Sequence, residues 1–202
     1  MNIGKFIKEN IKFLGFWLAV AFIGAYILVI SGSMGAQFIL GELPCPLCVI
    51  QRYSMMLAVV GPIYIIVSTL KGEINIQKFA IGYGMSIIAA CVGMISSVRQ
   101  ILLHISPEDP GFGGAFLGIH FYTWSLVTFF IVIVFCAANL IFADKLVPPA
   151  DEITPFVGVA KLVVWVFFVI VIIAFIAMIF QQGFNFLLPD DPTEYQLFDL
   201  FK

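Results

Sequence analysis

Two cysteines stand in a C-x-x-C arrangement, Cys45-Pro46-Leu47-Cys48. Thiols at this spacing can close into a small, reducible disulfide, and thiol–disulfide exchange needs a labile disulfide and an available thiolate. Pro46 suits the first turn of a helix, where its missing N–H costs nothing. Cys45 is therefore expected near a helix N-cap, where unpaired backbone N–H groups and the positive helix end should lower its pKa. Two other uses of the pair compete. A zinc site normally needs four ligands, and no second C-x-x-C or histidine pair completes one, so no metal is expected. A structural bridge closing so short a loop would constrain little chain. Redox chemistry is the stronger reading of this spacing.

Arg52 follows Cys48 by four residues, so the two share a helix face about 6 Å apart. A guanidinium at an apolar boundary is expensive and marks function by default; the alternative is an arginine snorkelling at a helix end. Arg99, Gln100 and His104 form a second polar group, with Gln100 and His104 on one face at i, i+4. The alternative for these is an interfacial cluster in contact with water. Cys91 and Cys136 lie inside apolar stretches, at depths that differ by about 6 Å at helical rise. Lateral separation adds to that, so both are read as small packing residues.

The elements that must position these groups are membrane helices. The 202-residue chain is 62% hydrophobic and 11% charged, with a mean hydropathy of +1.10. A soluble domain carries roughly 25% charged residues, so a bilayer is the better solvent. The net charge of −2 carries no partner information, and no basic patch suggests nucleic acid. Stretches free of Asp, Glu, Lys and Arg run over 13–41, 53–70, 79–98, 110–143 and 162–189. A spanning helix needs about 20 apolar residues, so each stretch holds one. Spans are predicted at about 13–33, 50–70, 79–99, 121–142 and 162–181.

With the N-terminus inside, Lys5, Lys8, Lys12, Lys71, Lys78, Lys145 and Lys161 fall on the cytoplasmic side. Arg52, Arg99 and Lys202 fall outside, which supports N-in, C-out. The first span has a basic flank but is longer than a signal-peptide core, so it is expected to be retained. The expected fold class is an all-α integral membrane protein. A four-helix transmembrane bundle (1–143) is followed by a linker, an appended fifth helix and an acidic tail (144–202). The fifth span is apolar on every face, as a lipid-facing anchor would be. The 105–118 loop, with its prolines and glycines, shows no regular period.

Three segments carry a resemblance. Leu43-Pro44-Cys45-Pro46-Leu47-Cys48-Val49-Ile50-Gln51-Arg52-Tyr53 resembles the C-x-x-C-x-x-x-R segment of the disulfide bond formation protein B (DsbB) family. Val98-Arg99-Gln100-Ile101-Leu102-Leu103-His104 is similar to that family's polar end of the third helix, and Phe116-Leu117-Gly118-Ile119…Trp124 to the start of its fourth. The resemblance covers about residues 10–143. It implies a bacterial inner-membrane oxidoreductase with its site on the periplasmic face. Cys45 and Cys48 would be the redox pair and Arg52 the cation beside a quinone (ubiquinone or menaquinone). Arg99, Gln100 and His104 would be weaker candidates for the same pocket, and the partner would be a soluble, DsbA-like thioredoxin-fold protein.

This chain departs from the family pattern in two places. Typical members carry a second cysteine pair between helices three and four, whereas residues 105–123 here hold none. The fifth span is also outside the common pattern. Two rival readings remain: a non-catalytic membrane subunit whose C-x-x-C is a structural clip, and a small anion transporter lined by Arg52, Arg99 and His104. A transporter should show discontinuous helices or repeated halves, and neither is visible.

Overall fold

The computed structural model of the chain describes residues 13–106, 108–109, 111–150, 157–183, 192 and 194–197. Lys5, Lys8, Lys12, Lys202 and most of the acidic tail, which bear on the orientation argument, lie outside the described residues. Five long helices stand where the uncharged stretches predict them: α1 (Leu14–Ile39), α2 (Pro46–Leu70), α3 (Ile76–Leu103), α4 (Phe121–Ile141) and α6 (Val157–Gln182). Each is long and apolar enough to cross a membrane. A short α5 (Ala143–Leu146) follows α4. The 105–118 loop is more regular than expected. It ends in a hairpin, β1 (Ala115–Phe116) against β2 (Ile119–His120), turned by Leu117 and Gly118, both at positive φ. A leucine at the first of those positions hides the turn, because Asn or Asp is the usual signal there.

α1, α2, α3 and α6 overrun the predicted spans, because hydropathy ends at polar residues while helical hydrogen bonding continues through them. Gln37, Lys78, Gln100 and Gln182 are all helical. Caps then define the ends. Asn75 accepts the Lys78 N–H at 2.8 Å to start α3. At the end of α2, Gly72 takes φ +68, so that its N–H reaches the Thr69 carbonyl and the Glu73 N–H reaches Ser68, a Schellman closure. That turn lets α3 fold back along α2.

α2 and α3 form the closest pair of the bundle, and their crossing has an identifiable chemistry. Pro62 lies inside α2 and has no N–H for the Ala58 carbonyl one turn earlier. In hydrocarbon an unmet carbonyl is costly. Ser86 of α3 meets it, donating to the Ala58 oxygen at 2.7 Å. Beside this bond the backbones touch: a Cβ on Gly61 would overlap the Gly82 carbonyl, and one on Gly82 would overlap Ile65.

Aromatic rings fill the middle of the bundle. Tyr26, Phe22, Phe135, Tyr83 and Phe79, from α1, α4 and α3, form a continuous chain with centroids 4.9 to 6.0 Å apart. Cys136 is fully buried in the same core, as a packing residue should be. Cys91 is not: it lies exposed on the outer face of α3, where an apolar sequence context cannot distinguish lipid from protein.

The same ambiguity affects α6. Half of it is exposed, but Ala160, Phe167, Ala174 and Gln181 are buried at seven-residue intervals, a coiled-coil-like seam. The helix packs mainly on α1. A helix apolar all round therefore still has a protein-facing side. Ser86→Ala should remove the hydroxyl that donates to the Ala58 carbonyl and lower stability by about 1–3 kcal/mol. Thermal unfolding in detergent would measure this, with Ser86→Thr expected to stay near wild type.

Candidate functional site

The C-termini of α1, α3 and α6 and the N-termini of α2 and α4 meet at one end of the bundle. Pro46 occupies the first turn of α2 and Cys45 is its N-cap, as the sequence predicts. The Cys45 Sγ accepts the Cys48 N–H at 3.2 Å, the ordinary N-cap interaction made by sulfur. The two sulfurs are 2.6 Å apart. A bonded pair is about 2.05 Å apart, so closure requires almost no backbone motion. The expected lowering of the Cys45 pKa is not what this geometry produces. The hydrogen shared with Cys48, and then burial, push the Cys45 thiol up, and the Cys48 and Leu47 N–H groups do not outweigh them. The two sulfurs share one hydrogen and titrate as a unit.

Gln100 is the residue of α3 that reaches the pair. Its Nε2 donates to Cys45 Sγ at 3.3 Å and to Cys48 Sγ at 3.4 Å. Gln51 Nε2 donates to Gln100 Oε1 at 2.8 Å, which fixes which way the Gln100 amide points. Ser96 Oγ adds a bond to the Leu47 carbonyl at 3.3 Å. The polar end of α3 therefore grips the Cys45–Cys48 segment from one side.

Arg52 lies one turn along α2 from Cys48, close enough for its charge to act on that sulfur. Its guanidinium turns to α1, donating to Ser33 Oγ at 2.8 Å and to Gln37 Oε1 at 2.8 Å. All of its acceptors are neutral, and no described carboxylate pairs with it. Gln37 spends its oxygen on Arg52 and is left with a buried Nε2 that has no acceptor among the described residues.

Arg99 and His104 do not join this group. Arg99 is exposed and makes no hydrogen bond or ion pair with a described residue. His104 caps α3 and turns into the α3–α4 loop, where its Nδ1 is 3.0 Å from Asp109. Asp109 also accepts the Gly111 N–H at 2.8 Å. That bond first, and His104 second, hold its carboxyl below the usual range. Tyr122 is stacked between His104 and His120, at 5.7 and 5.2 Å. Gln100 and His104 share a helix face in the sequence, but the last turn of α3 sends them to different tasks.

Sequence reasoning passed over Ser33, Gln37, Gln51, Ser96 and Gln181, because uncharged polar residues do not interrupt a hydropathy window. A readable signal existed. Four glutamines, one each from α1, α2, α3 and α6, are at most 3% exposed, and an amide in an apolar helix is expensive unless it has a partner.

Five membrane-length helices with a juxtaposed dithiol at one end of the bundle define an all-α membrane protein with a paired-cysteine site. The family model for "Disulfide bond formation protein DsbB" matches residues 15–114, from α1 to the threshold of the hairpin, and this chain belongs to the DsbB family. Disulfide bond formation protein B of Polaromonas naphthalenivorans (strain CJ2) is 33% identical over 104 residues, 50% of this chain and 58% of that protein. Disulfide bond formation protein B 1 of Pseudomonas entomophila (strain L48) is 25% identical over 79 residues, 39% and 44% of the two chains. The corresponding Pseudomonas fluorescens (strain Pf0-1) protein is 52% identical over 29 residues, 14% and 17%. The chain spans about half the length of the first two. No solved structure matches it.

Gln100→Leu takes the amide from both sulfurs and leaves Gln51 Nε2 without its acceptor. Alkylation of the reduced pair by iodoacetamide at neutral pH should slow by roughly three- to tenfold, read by intact-protein mass.

Proposed function

We propose that this protein reoxidises a soluble, DsbA-like thioredoxin-fold dithiol protein and passes the electrons to a membrane quinone. One observation carries the reading: the Cys45 and Cys48 sulfurs are 2.6 Å apart beneath one amide, beside a guanidinium whose described partners are all neutral. Under this reading the chain lies in a bacterial inner membrane with its N-terminus in the cytoplasm and its cysteine end in the periplasm. Residues 1–143 form the bundle that builds the site.

In the first half, the partner's thiolate attacks the Cys45–Cys48 disulfide and forms a mixed disulfide. The partner's second thiol resolves it. The partner leaves oxidised, and both cysteines remain as thiols carrying the two electrons and two protons. When one of those protons leaves, the charge on the pair lies within reach of the Gln100 amide and the Arg52 charge. Donors fixed in place before reaction stabilise that charge without reorganising.

The residues present fit a quinone. Among the described residues Arg52 supplies a cation with no carboxylate partner and Gln37 Nε2 a buried donor with no acceptor, the two features a carbonyl oxygen gaining negative charge would use. When bound, the quinone accepts two electrons and two protons, and Cys45 and Cys48 return to the disulfide. Arg52 and Gln37 would hold the quinone oxygen, Gln100 would steady the sulfur charge, and Ser33 would aim the guanidinium. Arg99 and His104 remain candidates for the quinone's surroundings only through the resemblance. The His104–Asp109 pair orders the loop that the partner would meet.

Purified protein given a reduced thioredoxin-fold dithiol and a soluble ubiquinone analogue should bleach the quinone absorbance. Cys45→Ser with Cys48→Ser should abolish this, and retained activity would sink the reading. Arg52→Lys keeps the charge but loses the planar fork, so the apparent KM for quinone should rise several-fold with expression unchanged. Replacing Cys91 and Cys136 by Ala should leave turnover nearly untouched, since neither sulfur is near the pair.

A further inference from the structure

α6 lies beyond the residues that the family model matches, yet its last turn reaches the cysteine segment. Gln181 Nε2 donates to the Pro44 carbonyl at 2.7 Å, across 137 residues of chain. Gln181 is 1% exposed and is the last member of the seven-residue seam that begins at Ala160. Packing along the whole of α6 therefore decides where this amide falls.

The bond sits at a point the backbone cannot secure for itself. Residues 41–45 between α1 and α2 belong to no helix or strand. In Pro44-Cys45-Pro46 both flanking residues lack an N–H. The segment is held instead by side chains from other helices: Gln181 on the Pro44 carbonyl, Ser96 on the Leu47 carbonyl, and Gln100 on the sulfurs. The Pro44 carbonyl shares a rigid peptide plane with the Cys45 nitrogen. Anchoring its oxygen fixes how that plane is rotated, and with it the direction in which Cys45 projects its sulfur. Gln181 Oε1 is buried with no partner among the described residues. The amide is thus seated for what its nitrogen does, even though its oxygen goes unmet.

We propose that Gln181 is a positioning residue for the Cys45–Cys48 pair. It holds the Pro44–Cys45 peptide so that the dithiol is already arranged for closure, and α6 is thereby part of the site. This rests on the reading of Cys45 and Cys48 as a redox pair.

The test is the dithiol–disulfide equilibrium of the intact protein in detergent, against mixtures of reduced and oxidised dithiothreitol, read by thiol alkylation and mass. Each closure passes two electrons and two protons to the reagent's disulfide, so neither quinone nor partner is needed. Gln181→Met keeps the length and removes the donor; its closure constant should fall roughly fivefold relative to wild type. Gln181→Glu at pH 6 should restore it, because a buried carboxyl stays protonated and donates as the amide did. If Gln181→Met does not accumulate, Gln181→Asn withdraws the donor by one methylene and should show the same fall. A variant with a lowered melting temperature but an unchanged closure constant would mean a packing role only and would overturn the proposal. A Glu variant no better than Met would do the same. A wild-type protein that forms no Cys45–Cys48 disulfide at any dithiothreitol ratio would overturn the redox-pair reading itself.

Discussion

One amide nitrogen, Nε2 of Gln100, stands 3.3 Å from one sulfur and 3.4 Å from the other, and much of the bundle keeps it there. Gln51 sets the flip of that amide. The register between α2 and α3, which carries Gln100 to the level of the cysteines, follows from the Gly72 turn and the Gly61–Gly82 contact. Hydrogen bonds to sulfur are weak donors of stability in water. In a water-poor end of a membrane bundle they matter more, because a bare sulfur charge there has little other solvation.

The same scarcity of solvent explains the placement of Arg52. A guanidinium held by a carboxylate would be neutralised and of little use to a neighbouring anion. Held by a serine and a glutamine, it donates from each of its nitrogens to a neutral acceptor and keeps its field. Glu42, the acid nearest in sequence to the cysteines, is engaged elsewhere: it accepts the Gly114 N–H at 3.0 Å and ties the α1–α2 connection to the hairpin loop. Glu42 and Asp109, two of the described carboxylates at this end, are thus occupied in ordering loops.

How much of this could be read from the chain depends on what hydropathy can weigh. Five helices and the C-x-x-C at a helix N-cap were legible, because uncharged length and Pro46 are local signals. The partners of the site were not. Gln37, Gln51 and Gln181 read as neutral inside apolar runs, and only folding shows that each meets a specific polar atom. Arg99 and His104 stood out because they are charged or titratable, yet one faces outward and the other faces the loop. Cys91 and Cys136 look alike in sequence but lie on opposite sides of the boundary between lipid and protein. The Cys45 expectation considered the helix terminus without the second sulfur, with which Cys45 shares a hydrogen.

The Pro62–Ser86 joint also has a mechanical side. Pro62 lies 14 residues along α2 from Cys48, about 21 Å at helical rise. Below it the helices are clasped by glycine contacts; above it α2 is a lever whose tip bears the sulfurs. A tilt of about 3° at this fulcrum would move the tip by about 1 Å, enough to spoil a hydrogen bond to sulfur. The geometric tolerance of the cysteine end is therefore set halfway down the membrane, where nothing in the local chemistry betrays it.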